Sequence, residues 1–236
     1  MMDTSKDRIP VTLADWDGVA VVSIDDGKAN ALNHQLLEAL SGALEEASNA
    51  DAVVIAGRPG RFSAGFDLEI MNRGGIDARD LLAAGVDVFL KAYMHPRPVV
   101  VSCSGHAIAA GAIILMSSDI RIGAHGDFKL GMPELTIGMP LPFFATELMR
   151  DRLSTRHLGA ALLGEMYGPA EAVEVGFLDD VVATNIVLES ATERARALAP
   201  ISRGALQRTR LTSRGAVANA IRAGLVEDLS HFDVAP

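Results

Sequence analysis

Val99-Val100-Val101-Ser102-Cys103 runs into Ser104-Gly105-His106-Ala107-Ile108-Ala109-Ala110-Gly111-Ala112-Ile113-Ile114-Leu115-Met116. An unbroken apolar strand followed by tiny side chains reads as a buried strand, a tight turn and a close-packed helix. The same succession stands upstream, where Ala52-Val53-Val54-Ile55-Ala56-Gly57 precedes Phe62-Ser63-Ala64-Gly65-Phe66-Asp67-Leu68. Strands expected over Pro98–Cys103 and Asp119–Ala124 enclose a helix over Ala107–Ser117. Continuous apolar strands alternating with helices predict an α/β core with parallel strands and helices outside.

Working outward, Val11–Leu13 and Val19–Ile24 read as strands joined at Asp15-Trp16-Asp17-Gly18. Asn33 is placed to cap a helix over Gln35–Ser48, whose stripe is Leu36, Leu37, Leu40 and Leu44. Another helix is expected from Asp67, with a mobile loop over Met71–Ile76, and another spans Asp77–Tyr93 until His95-Pro96-Arg97-Pro98 stops it. Beyond Pro140 the pattern turns helical, at Phe143–Arg152, Thr155–Leu163, Ala170–Val175, Ile186–Ala199 and Arg203 onward, with one short strand near Asp180–Ala183. The organisation expected is a core over residues 1–190 and a C-terminal helical region over 191–236.

The 236 residues are 49% hydrophobic and 22% charged, enough for a real core and unlike a disordered chain. The longest apolar stretch, Ala107 to Met116, falls short of the roughly 18–20 residues of a membrane span. The start, MMDTSKDRIP, has charges of both signs and no apolar run, unlike a secretory signal. A net charge of −9 argues against binding nucleic acid. A single cysteine, Cys103, lies in an apolar run and suits a reducing compartment, so a cytoplasmic location is expected. The six histidines, at 34, 95, 106, 125, 157 and 231, form no i, i+4 pair, and no metal is expected.

A helix that begins with tiny side chains exposes its first amides, which have no partner within the helix. Two such turns at the ends of neighbouring parallel strands can converge on one oxygen, which is how an oxyanion hole is built. Close helix packing through alanine and glycine is the other reading of Ala107–Gly111, and a glycine turn before a helix-capping Asp67 is the other reading of 62–68. Both roles can hold together. Ser63, Ser102 and Ser104 lie in no G-x-S-x-G elbow, which disfavours a serine hydrolase.

FSAGFDL at 62–68 resembles the F-[CSA]-A-G-x-D-[LI] motif of the crotonase superfamily, the enoyl-CoA hydratases and isomerases. The spacing to GHAIAAGAIILMSSDIRIGA, then to Met132-Pro133-Glu134, and the earlier Lys28-Ala29-Asn30-Ala31-Leu32-Asn33 are similar to that family too. The resemblance implies a ββα spiral core and a helical C-terminal portion serving trimerisation, in a trimer or a pair of trimers. It implies an acyl-CoA substrate, coenzyme A being part of the substrate and no separate cofactor being required. Carried over by position, the amides of Ala64 and Ala110 hold the thioester oxygen. Lys28, Ala29 and Asn30, with Ala64, Gly65, Phe66, Asp67 and Leu68, line the coenzyme A channel. The family's G-G-G is here Ala109-Ala110-Gly111, whose methyls narrow the space around the thioester.

Hydratases of this family use two glutamates. The first falls on Ile113 here and is absent; the second falls on Glu134 and is present. Glu134 just after Pro133 also reads as an ordinary residue of a helix start. One carboxylate can shuttle a proton from C2 to C4 of a 3-enoyl thioester, so Δ3–Δ2 isomerisation is the expected chemistry. Hydration of a 2-enoyl-CoA by Glu134 alone and a non-catalytic acyl-CoA-binding protein are the alternatives. Met132, Leu135, Ile137 and Met139 are placed to desolvate Glu134 and raise its pKa. Leu141, Phe143 and Phe144 are candidates to shape an acyl pocket, and Glu69 is a minor second candidate base.

Overall fold

A computed structural model describes residues 9–231, so the first eight residues of the N-terminal reading and the last five of the helical region lie outside the described residues. One sheet holds β1 (Val11–Trp16), β2 (Val19–Ile24), β3 (Ala52–Ala56), β5 (Val99–Cys103), β7 (Ile120–Ala124) and β10 (Asp180–Val182) in that order. Only β1 and β2 pair antiparallel; every other neighbouring pair is parallel. A second sheet holds β4 (Gly60–Ser63), β6 (Gly105–Ile108), β8 (Leu130–Gly131) and β9 (Met166–Tyr167). Strands β3, β5 and β7 thus each run on into a strand of the second sheet, which makes the spiral.

The second sheet corrects the sequence reading. Residues 107 and 108, expected to open a helix, end the strand β6 (Gly105–Ile108); the helix α4 (Ala110–Met116) begins only after Ala109. The sheet closes tightly there: a Cβ on Gly105 would stand 2.0 Å from the Gly60 carbonyl carbon, so β4 and β6 meet only because residue 105 is glycine. The stretch read as a mobile loop holds the end of α2 (Leu68–Met71) and the start of α3 (Gly75–Tyr93).

Inside the spiral, α1 (His34–Glu46) buries the expected leucines 36, 37, 40 and 44, and Asn33 caps it by accepting from Leu36 N. Helix α4 is buried at all seven positions. The outer face of the first sheet, including Val21, Val54 and Val100, is covered by Val187, Ala191 and Ala195 of α8 (Val187–Leu198). The expected 190/191 boundary falls within that helix. Beyond it come α9 (Arg203–Ser213) and α10 (Gly215–Ser230), the latter packing on α3 and on α5 (Phe143–Arg152). Asp119, at the start of β7, is structural: it accepts from Val99 N and pairs with Arg210 and Arg214.

Asn30 locks the loop before α1 to the end of β4. It is fully buried with φ 52°, a left-handed conformation that asparagine tolerates. Its Nδ2 donates to the carbonyls of Ile24 and Phe62, each at 3.0 Å, and its Oδ1 accepts from Asp26 N at 2.9 Å. Ser63 Oγ donates to the Asn30 carbonyl at 2.8 Å. Removing that amide strands several buried groups at once. Asn30→Ala is expected to lower the unfolding free energy by about 2–4 kcal/mol in urea denaturation. An unchanged midpoint contradicts the lock.

Candidate active site

The two turns that the sequence singled out meet. A Cβ on Gly65, which has φ 92°, would lie 3.2 Å from Ala110 N and 2.8 Å from the Ala109 methyl. A Cβ on Gly111 would lie 2.5 Å from the Ser63 carbonyl oxygen. Only glycine at both positions lets the backbones come this close. Ala109 holds φ 54°, ψ −123°, a strained geometry for a residue with a side chain, just where the chain leaves β6 for α4.

Which amides are free follows from the bonding of each turn. Ala64 N donates to the Ala29 carbonyl at 3.0 Å, so it is already engaged. This corrects its expected role as a donor. The next turn residue differs: Leu32 N donates to Gly65 O at 2.8 Å and Asp67 N donates to Leu32 O at 3.1 Å, a parallel bridge centred on Phe66. In such a bridge the central residue's own N–H points away from the partner strand. The Phe66 amide therefore has no partner among the described residues. On the second turn, Ala109 N donates to Gly131 O at 2.9 Å, while Ala110, the first residue of α4, has an amide with no intrahelical partner.

Ala64, Phe66, Ala109 and Ala110 line one cavity of about 70 Å³, together with Ile113 and Glu134. Its remaining walls are apolar, from Leu68, Met71 and Leu82 across to Ile137, Met139, Pro140, Pro142 and Phe144. Glu134 opens a short 3-10 turn, Glu134–Ile137, directly after Pro133. Its Oε2 is sealed from solvent with no hydrogen-bond partner. Burial pushes its pKa up to about 7, against a lesser lowering by its own backbone. Asp228 Oδ2 is likewise buried without a partner, but of the two carboxylates only Glu134 borders this cavity.

The other expected site residues divide. Leu68 lines the cavity and is largely exposed. Gly65 serves as the spacer between the turns, and Asp67 caps α2 by accepting from Glu69 N and Ile70 N. Ala29 supplies the carbonyl that engages Ala64, and Lys28 is exposed beside it, its carbonyl held by Arg58. Asn30 corrects the expectation of a channel residue, since its side chain is wholly committed inside the protein. Of the acyl-pocket candidates, Phe144 lines the cavity, while Leu141 and Phe143 do not. Glu69 is exposed and outside it. Sequence reasoning missed the Phe66 amide, Met71 and Leu82; the amide was legible only through the Leu32 bridge.

A wider cleft of about 550 Å³ opens near Lys91 and His95, away from these amides. Its Lys91 is bonded to Ser41 and Glu45, and its His95 donates to the Leu44 carbonyl, so those groups are already satisfied. Among the described residues no helix is long and apolar enough to cross a membrane.

Two adjacent turns offering free amides and a buried acid thus border one cavity within a ββα spiral. The family model described as enoyl-CoA hydratase/isomerase matches residues 15–232, and the chain belongs to that family of enzymes, with a crotonase-like fold. It is similar to the human mitochondrial enoyl-CoA delta isomerase 1, at 28% identity over 91% of this chain and 74% of the relative. It is also similar to a probable enoyl-CoA hydratase of Bacillus subtilis, at 31% identity over 69% of this chain and 63% of the relative's length. Among solved structures, the apo form of an enoyl-CoA isomerase from Mycobacterium tuberculosis superposes with a TM-score of 0.90, at 36% identity over 95% of this chain and 99% of that one.

The raised pKa has a stability consequence with a definite sign. The folded state holds the Glu134 proton up to about pH 7, whereas an unfolded glutamate releases it near 4.5. Stability from this group is therefore full below the unfolded value and lost as pH rises toward 7. Glu134→Gln, which cannot ionise, is expected to melt higher than the wild type at about pH 8 and to match it at about pH 4. Parallel melting curves across that range contradict the burial of this acid.

Proposed function

We propose that this enzyme moves the double bond of a 3-enoyl-CoA to the 2-position, with Glu134 as the only acid/base. The carrying observation is the Glu134 Oε2 atom, buried and unpartnered in the cavity that the Phe66 and Ala110 amides share. The thioester oxygen accepts from those two amides. Glu134 in its carboxylate form takes a proton from C2, the electron pair moves into the thioester as a dienolate, and the oxygen's charge is met by the amides. Protonated Glu134 then returns the proton at C4, leaving the double bond between C2 and C3. One donor of this kind is worth roughly 2.7–4 kcal/mol in the transition state. A pKa near 7 suits an acid that must both take and give a proton at neutral pH.

Hydration of a 2-enoyl-CoA needs a bound, activated water. Ile113, on the cavity wall where a second carboxylate would hold that water, is apolar. This favours isomerisation over hydration and over mere binding of the thioester. The coenzyme A moiety is assigned to the segment from Lys28 to Ala29 and to Ala64–Leu68, two stretches that the Ala64–Ala29 bond keeps side by side. A trimer or a pair of trimers is the assembly proposed, and the particle mass from light scattering decides it: a monomer contradicts it.

Glu134→Gln is expected to lower kcat on a 3-enoyl-CoA by about 10²–10⁴ with little change in KM. Wild-type turnover in that variant removes Glu134 from the mechanism. Ile113→Glu is expected to raise the hydration of 2-enoyl-CoA, and no gain counts against the account of why hydration is weak.

A further inference from the structure

Gly85 sits in the interior of α3, between Ala84 and Val86, where glycine is among the least favourable residues. Its backbone is ordinary helix, so no turn or positive φ requires it. What requires it is a ring. A Cβ on Gly85 would stand 2.4 Å from Phe66 Cζ and 2.5 Å from Phe66 Cε1, distances that no real packing tolerates. The next nearest atom, Phe89 Cε2, is at 3.4 Å. The missing side chain therefore makes a notch for one partner only, the tip of the Phe66 ring.

That ring is hemmed in on the helix side. Its centroid is 6.0 Å from that of Phe89, which is in turn 6.1 Å from Phe144. On its other side is the cavity, which Phe66 and Phe144 both line. A methyl group at 85 pushes the ring tip off α3 and toward the cavity, because Phe89 stands beside it on the helix. Residue 66 is also the centre of the Leu32 bridge, whose bonds to Gly65 O and Asp67 N hold the backbone on both sides of it, so the ring moves while the amide stays.

We infer that Gly85 is a positioning residue for the reaction: the notch it leaves in α3 seats the Phe66 ring and keeps that ring out of the acyl cavity, so that the thioester can reach the amides beside it. The catalytic part of this inference rests on the function proposed above, while the packing part does not. In this arrangement the length of acyl chain the enzyme accepts depends on a residue that touches no substrate.

The test compares wild type, Gly85→Ala, Phe66→Leu and the double variant. Leucine at 66 keeps the backbone amide and an apolar wall but is too short to reach the notch. Turnover is measured on 3-enoyl-CoA thioesters of short and long acyl chain, and binding of the matching saturated acyl-CoA esters is measured by calorimetry. Gly85→Ala is expected to lose about 10- to 100-fold in kcat/KM, through kcat for the short chain and with an added rise in KM for the long one. The double variant is expected to match Phe66→Leu alone in turnover and binding and to melt slightly higher, because the clash is gone and alanine favours the helix. Gly85→Ala turning over both chains like the wild type overturns the proposal. So does a double variant that falls below Phe66→Leu by the same factor as Gly85→Ala falls below the wild type. Glu134→Gln run alongside separates the two claims: unchanged turnover there defeats the proposed chemistry, while the chain-length effect on binding still decides whether the notch seats Phe66.

Discussion

Contact between the Gly65 turn and the Ala109–Gly111 turn, with no side chain between them, is the constraint on which the site depends. Both backbones need it: Gly65 would collide with Ala109 and Ala110, and Gly111 with Ser63, if either carried a Cβ. Each turn follows a strand of the second sheet, β4 for the first and β6 for the second, and these pair in parallel. The parallel pairing puts both turns at the same end of the sheet. Asn30 fastens the Phe62 carbonyl beneath one turn, and the Gly131 carbonyl fastens Ala109 beneath the other. The fold thus fixes both free amides in advance, which is the preorganisation that the proposed oxyanion stabilisation requires.

The acid acquires its character from the same arrangement. Glu134 faces a cavity walled by Ile113, Ile137, Met139 and Pro140, with no basic group or second carboxylate among the lining residues. Desolvation therefore dominates its pKa, and an opposing charge plays no part. Such an acid costs folding energy whenever it is ionised. The proposed substrate would satisfy this acid and the two unpaired amides together. Cys103 shows the contrast: it is also fully buried, with its thiol pushed up to about 12, but it donates to the Gly105 carbonyl and has no free function.

The strands of the first sheet were legible because they are long and continuously apolar, as at Ala52–Ala56 and Val99–Cys103. The second sheet was not. Its strands run from two to four residues and include glycine at 60, 105 and 131, so they have neither the length nor the alternation of a strand signal. The small-residue helix was therefore begun too early, at Ala107. Glu134 and Ala110 were reached from the spacing of motifs that resemble a known family. That the free amide of the first turn belongs to Phe66 and not to Ala64 was not legible, because which amide of a turn is free depends on its hydrogen-bonded neighbour, here Leu32, more than thirty positions away. Gly85 carries no pattern in the sequence, since its role exists only once Phe66 is packed against it.

The most direct measurement is a crystal structure with a non-reactive acyl-CoA thioester bound. The account predicts the thioester oxygen within about 2.7–3.1 Å of both the Phe66 and Ala110 nitrogens, with Glu134 over the carbons beside it. An oxygen bonded to neither amide, or a thioester lying in the cleft by Lys91 and His95, contradicts it.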